Sequence, residues 1–231
     1  MNREKSAEEM RAGYIEKMGQ ELGELFHATS SELTWIHWRW KQYRTLFGEK
    51  PSRIDLLNKA APLFFRIVHR VFFEDTLLAI ARLVGSSKSG GKPNLTVQRF
   101  PSLLRDVNLR HQVCELIEKA KTSAEFAIDW RNRRLAHRDL DLSLGRSLEP
   151  LPPATREKVE ESLSALREVL DNIEMACCND AHTLYDSSPT PGDAKALLYV
   201  IRDGLLRERD RRARWSRGEL HDDDTKPPEA V

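Results

Sequence analysis

The sequence is poor in cysteine and contains no long apolar run. Its three cysteines, Cys114, Cys177 and Cys178, are odd in number and lack the paired spacing of a disulfide framework or a zinc site. No stretch approaches the ~20 apolar residues that cross a bilayer. The first residues lack the apolar core of a signal peptide. We therefore expect a cytoplasmic protein with no membrane partner, no metal ion and no cofactor.

The sequence also has no excess of charge of either sign. Its 37 Lys and Arg residues face 36 Asp and Glu residues, a net charge of +1. This balance excludes a globally basic nucleic-acid binder, but it allows a local basic patch. Apolar residues make up 40% of the chain and recur at helical spacing, so we expect a folded helical domain and not a disordered chain.

The spacing of the apolar residues predicts an all-α fold. No segment of useful length alternates with a period of two, and the helical period runs through most of the chain. We expect a bundle of five or six helices, several of them long. The helical segments are predicted at about 5–47, 53–84, 108–139, 154–180 and 193–215. The domain is predicted to span residues 5–180, followed by a basic helix at 192–217 and a disordered tail at 218–231.

Several residues predict where helices start and stop. Thr29, Ser30 and Ser31 could cap a second helix within the first segment, and Ser52 could cap the next one. Pro62 predicts a kink or a late start in that helix. The loop GSSKSGGKP at 85–93 lacks the spacing of a phosphate-binding loop, so we interpret it as a plain linker.

One segment, DWRNRRLAHRD at 129–139, concentrates arginines at the end of an apolar helix. Metal-free RNA cleavage needs a base for the 2′-hydroxyl and an acid for the leaving oxygen, and histidine suits both roles. A guanidinium can hold the scissile phosphate. We therefore predict that Arg131 and His137 are catalytic and that Asn132 orients them, with Arg134 and Arg138 binding RNA.

A structural explanation of the same segment stays open. Cations are favoured near a helix C-terminus, and Asp129 and Asp139 could simply pair with the neighbouring arginines. Geometry also constrains the catalytic reading, because residues six apart on an ideal helix point ~120° apart. Arg131 and His137 could act on one atom only if the helix unwinds near 132–136, or if two copies of the segment face each other across a two-fold axis.

The residues of this segment resemble a known family. Arg131, the polar Asn132, four further residues and His137 match the signature of HEPN domains, and WRNRRLAHRD is most similar to the AbiU-type branch, which is linked to bacterial abortive infection. The resemblance implies a helical homodimer with a composite cleft. It also implies a metal-independent endoribonuclease that cleaves RNA in phage defence or in a toxin–antitoxin pair, with an antitoxin protein as a possible partner.

The resemblance further implies a polar or acidic residue on an earlier helix that faces the motif. Glu74 or Asp75, inside an apolar run, is the candidate. The alternative is an ordinary ion pair along the helix, since Arg70 precedes Glu74 by four residues. Some HEPN proteins are inactive, so a non-catalytic module that binds a nucleotide, RNA or a partner protein is the second reading.

Three other features allow more than one interpretation. The aromatic cluster at 35–40 could stack bases, although a core or dimer interface is the commoner role. The arginines of the last helix could contact RNA phosphates or a partner, or form a solvated helix end. Four isolated histidines show no metal-ligand spacing and are expected to be satisfied or surface residues: His37, His69, His111 and His182.

Overall fold

The computed structural model describes residues 6–135, 140, 144–145, 150–178, 192–219, 221 and 224. Most of these residues are helical and the only strands described are two of two residues each, which confirms the predicted all-α class. The α-helices are α1 (Ala7–Met18), α2 (Gln20–Phe47), α3 (Pro51–Ala60), α4 (Pro62–Leu83), α5 (Val107–Ser123), α6 (Glu125–Trp130), α7 (Arg156–Cys178) and α8 (Ala194–Arg217). The other elements are a hairpin of β1 (Lys88–Ser89) and β2 (Lys92–Pro93), a 3₁₀-helix (Val97–Ser102) and a π-turn (Arg131–Leu135).

The contacts of the chain divide it into two compact units. The first consists of Met1–Trp40 and Val71–Ser187, and the second of Lys41–Arg70 and Ser188–Val231. Helices α2 and α4 therefore contribute residues to both units. The motif segment and the hairpin belong to the first unit, and the arginine-rich α8 belongs to the second.

The core of the first unit is built on α7, against which α5 and α1 pack. One buried polar contact joins α1 to α7: the hydroxyl of Tyr14 donates to Oε1 of Glu174 at 2.7 Å. Glu174 is only 4% exposed, so this donor replaces water at a carboxylate that burial would otherwise destabilise. The largest fully buried side chains of this core are Phe26, Leu33, Ile36, Leu77, Ile80, Leu83, Phe100, Leu163, Leu166, Leu170 and Ile173.

The second unit has its own small core, in which α3 packs against α8. Asp193 caps α8 by accepting from the backbone N–H groups of Lys195 and Ala196. The backbone N–H of Ala194 donates to Oε1 of Gln42 at 2.6 Å, which fixes the start of the helix. The buried members of this core are Leu46, Leu57, Phe65, Ala194 and Leu198.

Two predicted helix starts are wrong. The first segment breaks at Gly19, whose φ of 84° terminates α1, and not at residues 29–31. Thr29 lies inside α2, where its hydroxyl donates to the carbonyl of Leu25 four residues earlier instead of capping a new helix. Ser52 is also not a cap, because α3 begins at Pro51 with Lys50 as the N-cap residue.

The break predicted at Pro62 is confirmed. Helix α3 ends at Ala60 and α4 starts at Pro62, with Ala61 between them. Proline suits the first turn of a helix because its missing N–H needs no partner there. A single apolar segment of the sequence therefore forms two helices.

Among the described helices, none combines the length and apolar character needed to cross a membrane. The cysteines are free thiols, with Cys114 exposed and Cys177 and Cys178 half-buried near the end of α7. Burial raises the pKa of the Cys177 thiol.

Candidate active site

The motif begins where α6 gives way to a π-turn. Helix α5 stops at Ser123, α6 runs for six residues, and residues Arg131–Leu135 then adopt π geometry. The helix therefore leaves α geometry within 132–136, which was one of the two conditions expected for the motif, and π segments occur often at functional sites. His137, Arg138 and Asp139 lie outside the described residues.

Trp130 anchors the start of the π-turn. Its Nε1 donates to the carbonyl oxygen of Pro152 at 2.8 Å. Its ring meets that of Phe73 edge-on, with centroids 6.4 Å apart. These two contacts fix the residue just before Arg131, so the turn is supported by both α4 and the segment that leads into α7.

The three described arginines of the motif have different partners. Arg133 pairs with Asp129 at 3.3 Å, as the structural reading expects. Nε of Arg134 lies 3.6 Å from Oε1 of Glu74, and its guanidinium carbon lies 5.1 Å from the centroid of the Trp130 ring. Arg131 instead donates to the neutral Oδ1 of Asn132 at 2.8 and 3.0 Å, and no carboxylate pairs with it among the described residues.

The two candidate acids on α4 have different partners. Glu74 faces Arg134, whereas Asp75 accepts a hydrogen bond from Arg39 of α2. Glu74 therefore lies beside the motif, whereas Asp75 pairs with an arginine outside it. Both ion pairs are partly exposed, so neither is a strong source of stability on its own.

Arg131 and Asn132 line an open cavity of about 640 Å³. Arg82 at the end of α4 and Lys88 of the hairpin also line it, and neither forms an ion pair within the described part of the chain. Asn94 and the half-buried Glu32 add polar groups. Its size falls within the roughly 300–1,000 Å³ of sites for small ligands and cofactors. The cavity therefore places Arg82 and Lys88 together with Arg131, and none of the three pairs with a carboxylate among the described residues.

The hairpin segment is held against the end of α4 by side chains. Oγ1 of Thr96 lies 2.8 Å from the carbonyl oxygens of both Leu83 and Gly85, and Nε2 of Gln98 donates to the carbonyl of Val84 at 2.6 Å. Nδ2 of Asn94 closes the loop by donating to the carbonyl of Ser86 at 2.9 Å. The segment predicted as a plain linker is therefore an ordered wall of the cavity.

Gly85 lies between the end of α4 and the side chain of Arg131. A Cβ atom at this position would lie 3.5 Å from Nη1 of Arg131 and 2.9 Å from the carbonyl oxygen of Ala81. The second distance is a clash with backbone, so a larger residue would shift the end of α4. A Cβ atom would make only an ordinary contact with Arg131, so glycine is needed here for the turn at the end of α4.

The comparison with known families bears on these residues directly. The family model HEPN_AbiU2, described as AbiU2, matches residues 19–197, more than three quarters of the 231-residue chain. This chain belongs to the AbiU2 family of HEPN domains. The matched range contains the π-turn, the hairpin and α4, so the candidate site lies wholly within the AbiU2 domain. Searches of curated proteins and of solved structures found no match.

A second cavity of the AbiU2 domain, of about 880 Å³, is a poorer candidate for a phosphate ligand. Its two lysines are outnumbered by carboxylates, and Lys119 pairs with Glu168 at 2.6 Å. An anionic ligand would face net negative charge there. The acids that line this cavity are Glu125, Asp129, Glu161 and Glu168.

Sequence reasoning did not identify the groups that face Arg131 across the cavity. These residues come from three separate segments and share no motif, so only the fold brings them together. Lys88 carried a weak signal, because it lies in the glycine-rich loop between two helices. The missed residues are Glu32, Arg82, Lys88 and Asn94.

The isolated histidines and the aromatic cluster at 35–40 have mostly structural surroundings. His69 hydrogen-bonds with the hydroxyl of Tyr43 at 2.9 Å, His111 is exposed on α5, and His182 lies outside the described residues. Burial, with a smaller contribution from the positive charge of Arg167, lowers the pKa of His37 to about 4. Trp40 is buried, whereas Trp35 is 56% exposed.

No group of three or more His, Cys, Asp or Glu side chains comes together in a way that could hold a metal ion within the described ranges. Two described carboxylates beside the motif, Asp129 and Glu74, pair with Arg133 and Arg134. The described part of the site therefore offers guanidinium, ammonium and amide groups, which bind and orient anions, together with one carboxylate, that of Glu32.

Proposed function

We propose that this AbiU2 domain is a metal-independent endoribonuclease that acts in phage defence or in a toxin–antitoxin pair. The observation that carries the proposal is the environment of Arg131. It is the one described motif arginine without a carboxylate partner, and it lines an open cavity together with Asn132, Arg82 and Lys88. A guanidinium in that setting is available to an RNA phosphate, whereas Arg133 and Arg134 have acids beside them.

The proposed reaction is transesterification. His137 removes the proton of the ribose 2′-hydroxyl, and O2′ attacks the adjacent phosphorus as the bond from phosphorus to O5′ breaks. The His137 of a second copy of the chain protonates the departing O5′. Arg131 donates hydrogen bonds to the phosphate oxygens as negative charge develops on them, and Asn132 orients the guanidinium through the contact of its Oδ1.

We further propose that the active species is a homodimer. One face of α4 supports this, because Leu63, Phe64 and Ile67 are 68%, 59% and 53% exposed at helical spacing. A contiguous exposed apolar face on a helix is typical of an association surface. Sedimentation velocity should give the mass of a dimer for the wild type and that of a monomer for Ile67→Glu. A wild-type monomer that cleaves RNA would contradict the composite cleft.

The test of the function is cleavage of a mixed-sequence RNA by the purified protein in excess chelator. We expect products that end in a 2′,3′-cyclic phosphate and begin with a 5′-hydroxyl. His137→Ala should lower the rate by about 10²–10⁴-fold because it removes the acid–base group. The matched control is His111→Ala, an exposed histidine of the same domain.

Three outcomes would contradict the proposal. They are an absence of cleavage by the folded wild type, products with a 5′-phosphate, and full activity in His137→Ala. RNA binding without turnover would favour the non-catalytic module instead. Expression in growing bacteria gives a second readout, because an active toxin should arrest growth with the wild-type chain and not with His137→Ala.

A further inference from the structure

The cavity beside Arg131 contains more than cations. It combines one carboxylate, two cations in addition to Arg131, several amide and hydroxyl groups, and apolar side chains. The carboxylate belongs to Glu32 of α2, which is half-buried, and the apolar groups include Leu83 and Leu95. A site for phosphate alone would not need either feature, because a carboxylate repels phosphate and apolar side chains do not bind it.

This mixture of groups fits one nucleotide. A base can pack against apolar side chains such as Leu83 and Leu95, and its Watson–Crick edge can hydrogen-bond to polar groups. Proteins commonly recognise unpaired RNA bases in this way. The phosphates on either side of the nucleoside need cations, which Arg131 and Lys88 supply from different elements of the cavity. The volume of about 640 Å³ is sufficient for a ligand of this size.

Glu32 determines which base fits. An ionised carboxylate only accepts hydrogen bonds, through its two oxygens. Guanine is the one RNA base whose Watson–Crick edge presents two adjacent donors, N1–H and the N2 amino group. Adenine, cytosine and uracil each present an acceptor next to their donor, which a carboxylate would repel.

We propose that the cavity formed by α2, the end of α4, the hairpin and the π-turn is a guanosine subsite. Glu32 accepts from N1–H and N2–H of guanine, Arg131 binds the 3′-phosphate, and Lys88 binds the 5′-phosphate. The inference rests on the proposed endoribonuclease function for its substrate, RNA, and it specifies that function: cleavage occurs on the 3′ side of guanosine.

The experiment is calorimetric titration of the full-length protein with the four nucleoside 3′,5′-bisphosphates, which contain no cleavable linkage between nucleotides. Guanosine bisphosphate should bind at least about tenfold more tightly than the other three, as expected for one two-point base contact. Glu32→Gln should reduce that ratio to about one, because its amide N–H₂ group opposes a donor of guanine. The matched control is Glu21→Gln, an exposed glutamate of the same helix that does not line the cavity.

Lys88 provides a separate arm of the test. Lys88→Ala should weaken the binding of all four bisphosphates by a similar factor, about three- to tenfold, and leave the guanine preference intact, because a phosphate contact carries no base information. Lys92→Ala is the control, since Lys92 is exposed on the other strand of the hairpin and is not among the residues that line the cavity. Circular dichroism establishes that each variant is folded.

The subsite and the ribonuclease can fail independently. Equal affinity for the four bisphosphates, or an unchanged guanine preference in Glu32→Gln, would overturn the subsite even if RNA is cleaved. A guanine preference that depends on Glu32, in a protein that cleaves no RNA, would support the subsite and contradict the proposed ribonuclease. Mapped cleavage sites that follow guanosine in the wild type, and lose that preference in Glu32→Gln, would support both.

Discussion

The π-turn and helix α8 are both rich in arginine, but their arginines have different surroundings. Six of the seven arginines of α8 pair with carboxylates close to them in the chain, such as Arg212 with Glu208 at 2.9 Å and Arg214 with Asp224 at 2.5 Å. In the π-turn, Arg131 donates to the amide oxygen of Asn132 and pairs with no carboxylate among the described residues. An arginine that already has a local acid is less available to an RNA phosphate. The number of arginines is therefore similar in kind for the two regions, and the pairing of their guanidinium groups is what differs.

The largest effect that this comparison predicts is on catalysis. Arg131→Ala should lower the rate of RNA cleavage by about 10²–10³-fold, the typical loss for one group that stabilises transition-state charge. Arg212→Ala should change the rate by less than about twofold, because its guanidinium already pairs with Glu208 on an exposed surface. Single-turnover rates in chelator measure both variants. Similar losses in the two would remove the distinction between the regions.

Acid should affect the two units differently, because their titrating groups differ. His37 of the first unit has a pKa of about 4 in the folded chain, against an ordinary value of 6.5. Well above pH 6.5 the residue is neutral in both states and contributes no pH dependence. As the pH falls towards 4, only the unfolded chain takes up the proton, so the free energy of unfolding falls, by about 2 kcal/mol between pH 7 and pH 5.

The variant His37→Gln should remove that part of the pH dependence, measured by urea unfolding at pH 7 and pH 5. His111→Gln, at an exposed site, should keep the wild-type difference. In the second unit, the hydrogen bond from Arg214 lowers the pKa of Asp224 to about 2, so this pair stays charged throughout the range. An unchanged pH dependence in His37→Gln would refute the assignment to His37.

Buried and exposed pairs should also differ in their contribution to stability. Tyr14→Phe removes the donor that faces the buried carboxylate of Glu174, and we expect a loss of about 1–3 kcal/mol in the free energy of unfolding. Glu208→Gln weakens two exposed pairs of α8 and should lower that free energy by less than about 1 kcal/mol. Urea midpoints measure both variants, and a larger loss in Glu208→Gln would reverse the ranking.

The smallest predicted effect separates Glu74 from Asp75. Glu74→Gln weakens the ion pair that orients Arg134 within the motif. We expect RNA cleavage to slow by about two- to fivefold, which corresponds to the free energy of a partly exposed ion pair. Asp75→Asn affects Arg39 of α2 instead and should leave the cleavage rate within about twofold at temperatures well below melting. Equal losses of activity in the two variants would show that the acids act together.

The sequence was sufficient to predict the fold class and several helix ends. The apolar period predicted α7 at 154–180, and the structure has it at Arg156–Cys178. Pro62 correctly predicted the start of α4, since proline acts through local geometry. The predicted break at Thr29–Ser31 failed because a threonine hydroxyl can bond back to its own helix, and nothing local distinguishes that choice from capping.

The sequence was less informative about the candidate site. The motif directed attention to Arg131 and Asn132, and Arg131–Leu135 departs from α geometry, which was one of the two alternatives that the spacing left open. The opposite wall of the cavity was not predictable, because it depends on Thr96 and Gln98 binding the carbonyl groups at the end of α4. Those contacts convert a glycine-rich loop into an ordered surface, and no spacing rule describes them.

The availability of the Arg131 guanidinium is the central claim, and Asn132→Asp tests it most directly. This nearly isosteric change turns the Oδ1 that Arg131 already contacts at 2.8 Å into a carboxylate, which gives Arg131 the kind of partner that the α8 arginines have. The measurement is the rate of RNA cleavage in chelator by Asn132→Asp relative to Asn132→Ala, which removes the amide without adding charge. We predict that the aspartate variant is slower than the alanine variant by about tenfold or more, because a charge-assisted pair must be broken before the phosphate binds. An aspartate variant as fast as the alanine variant would contradict the claim.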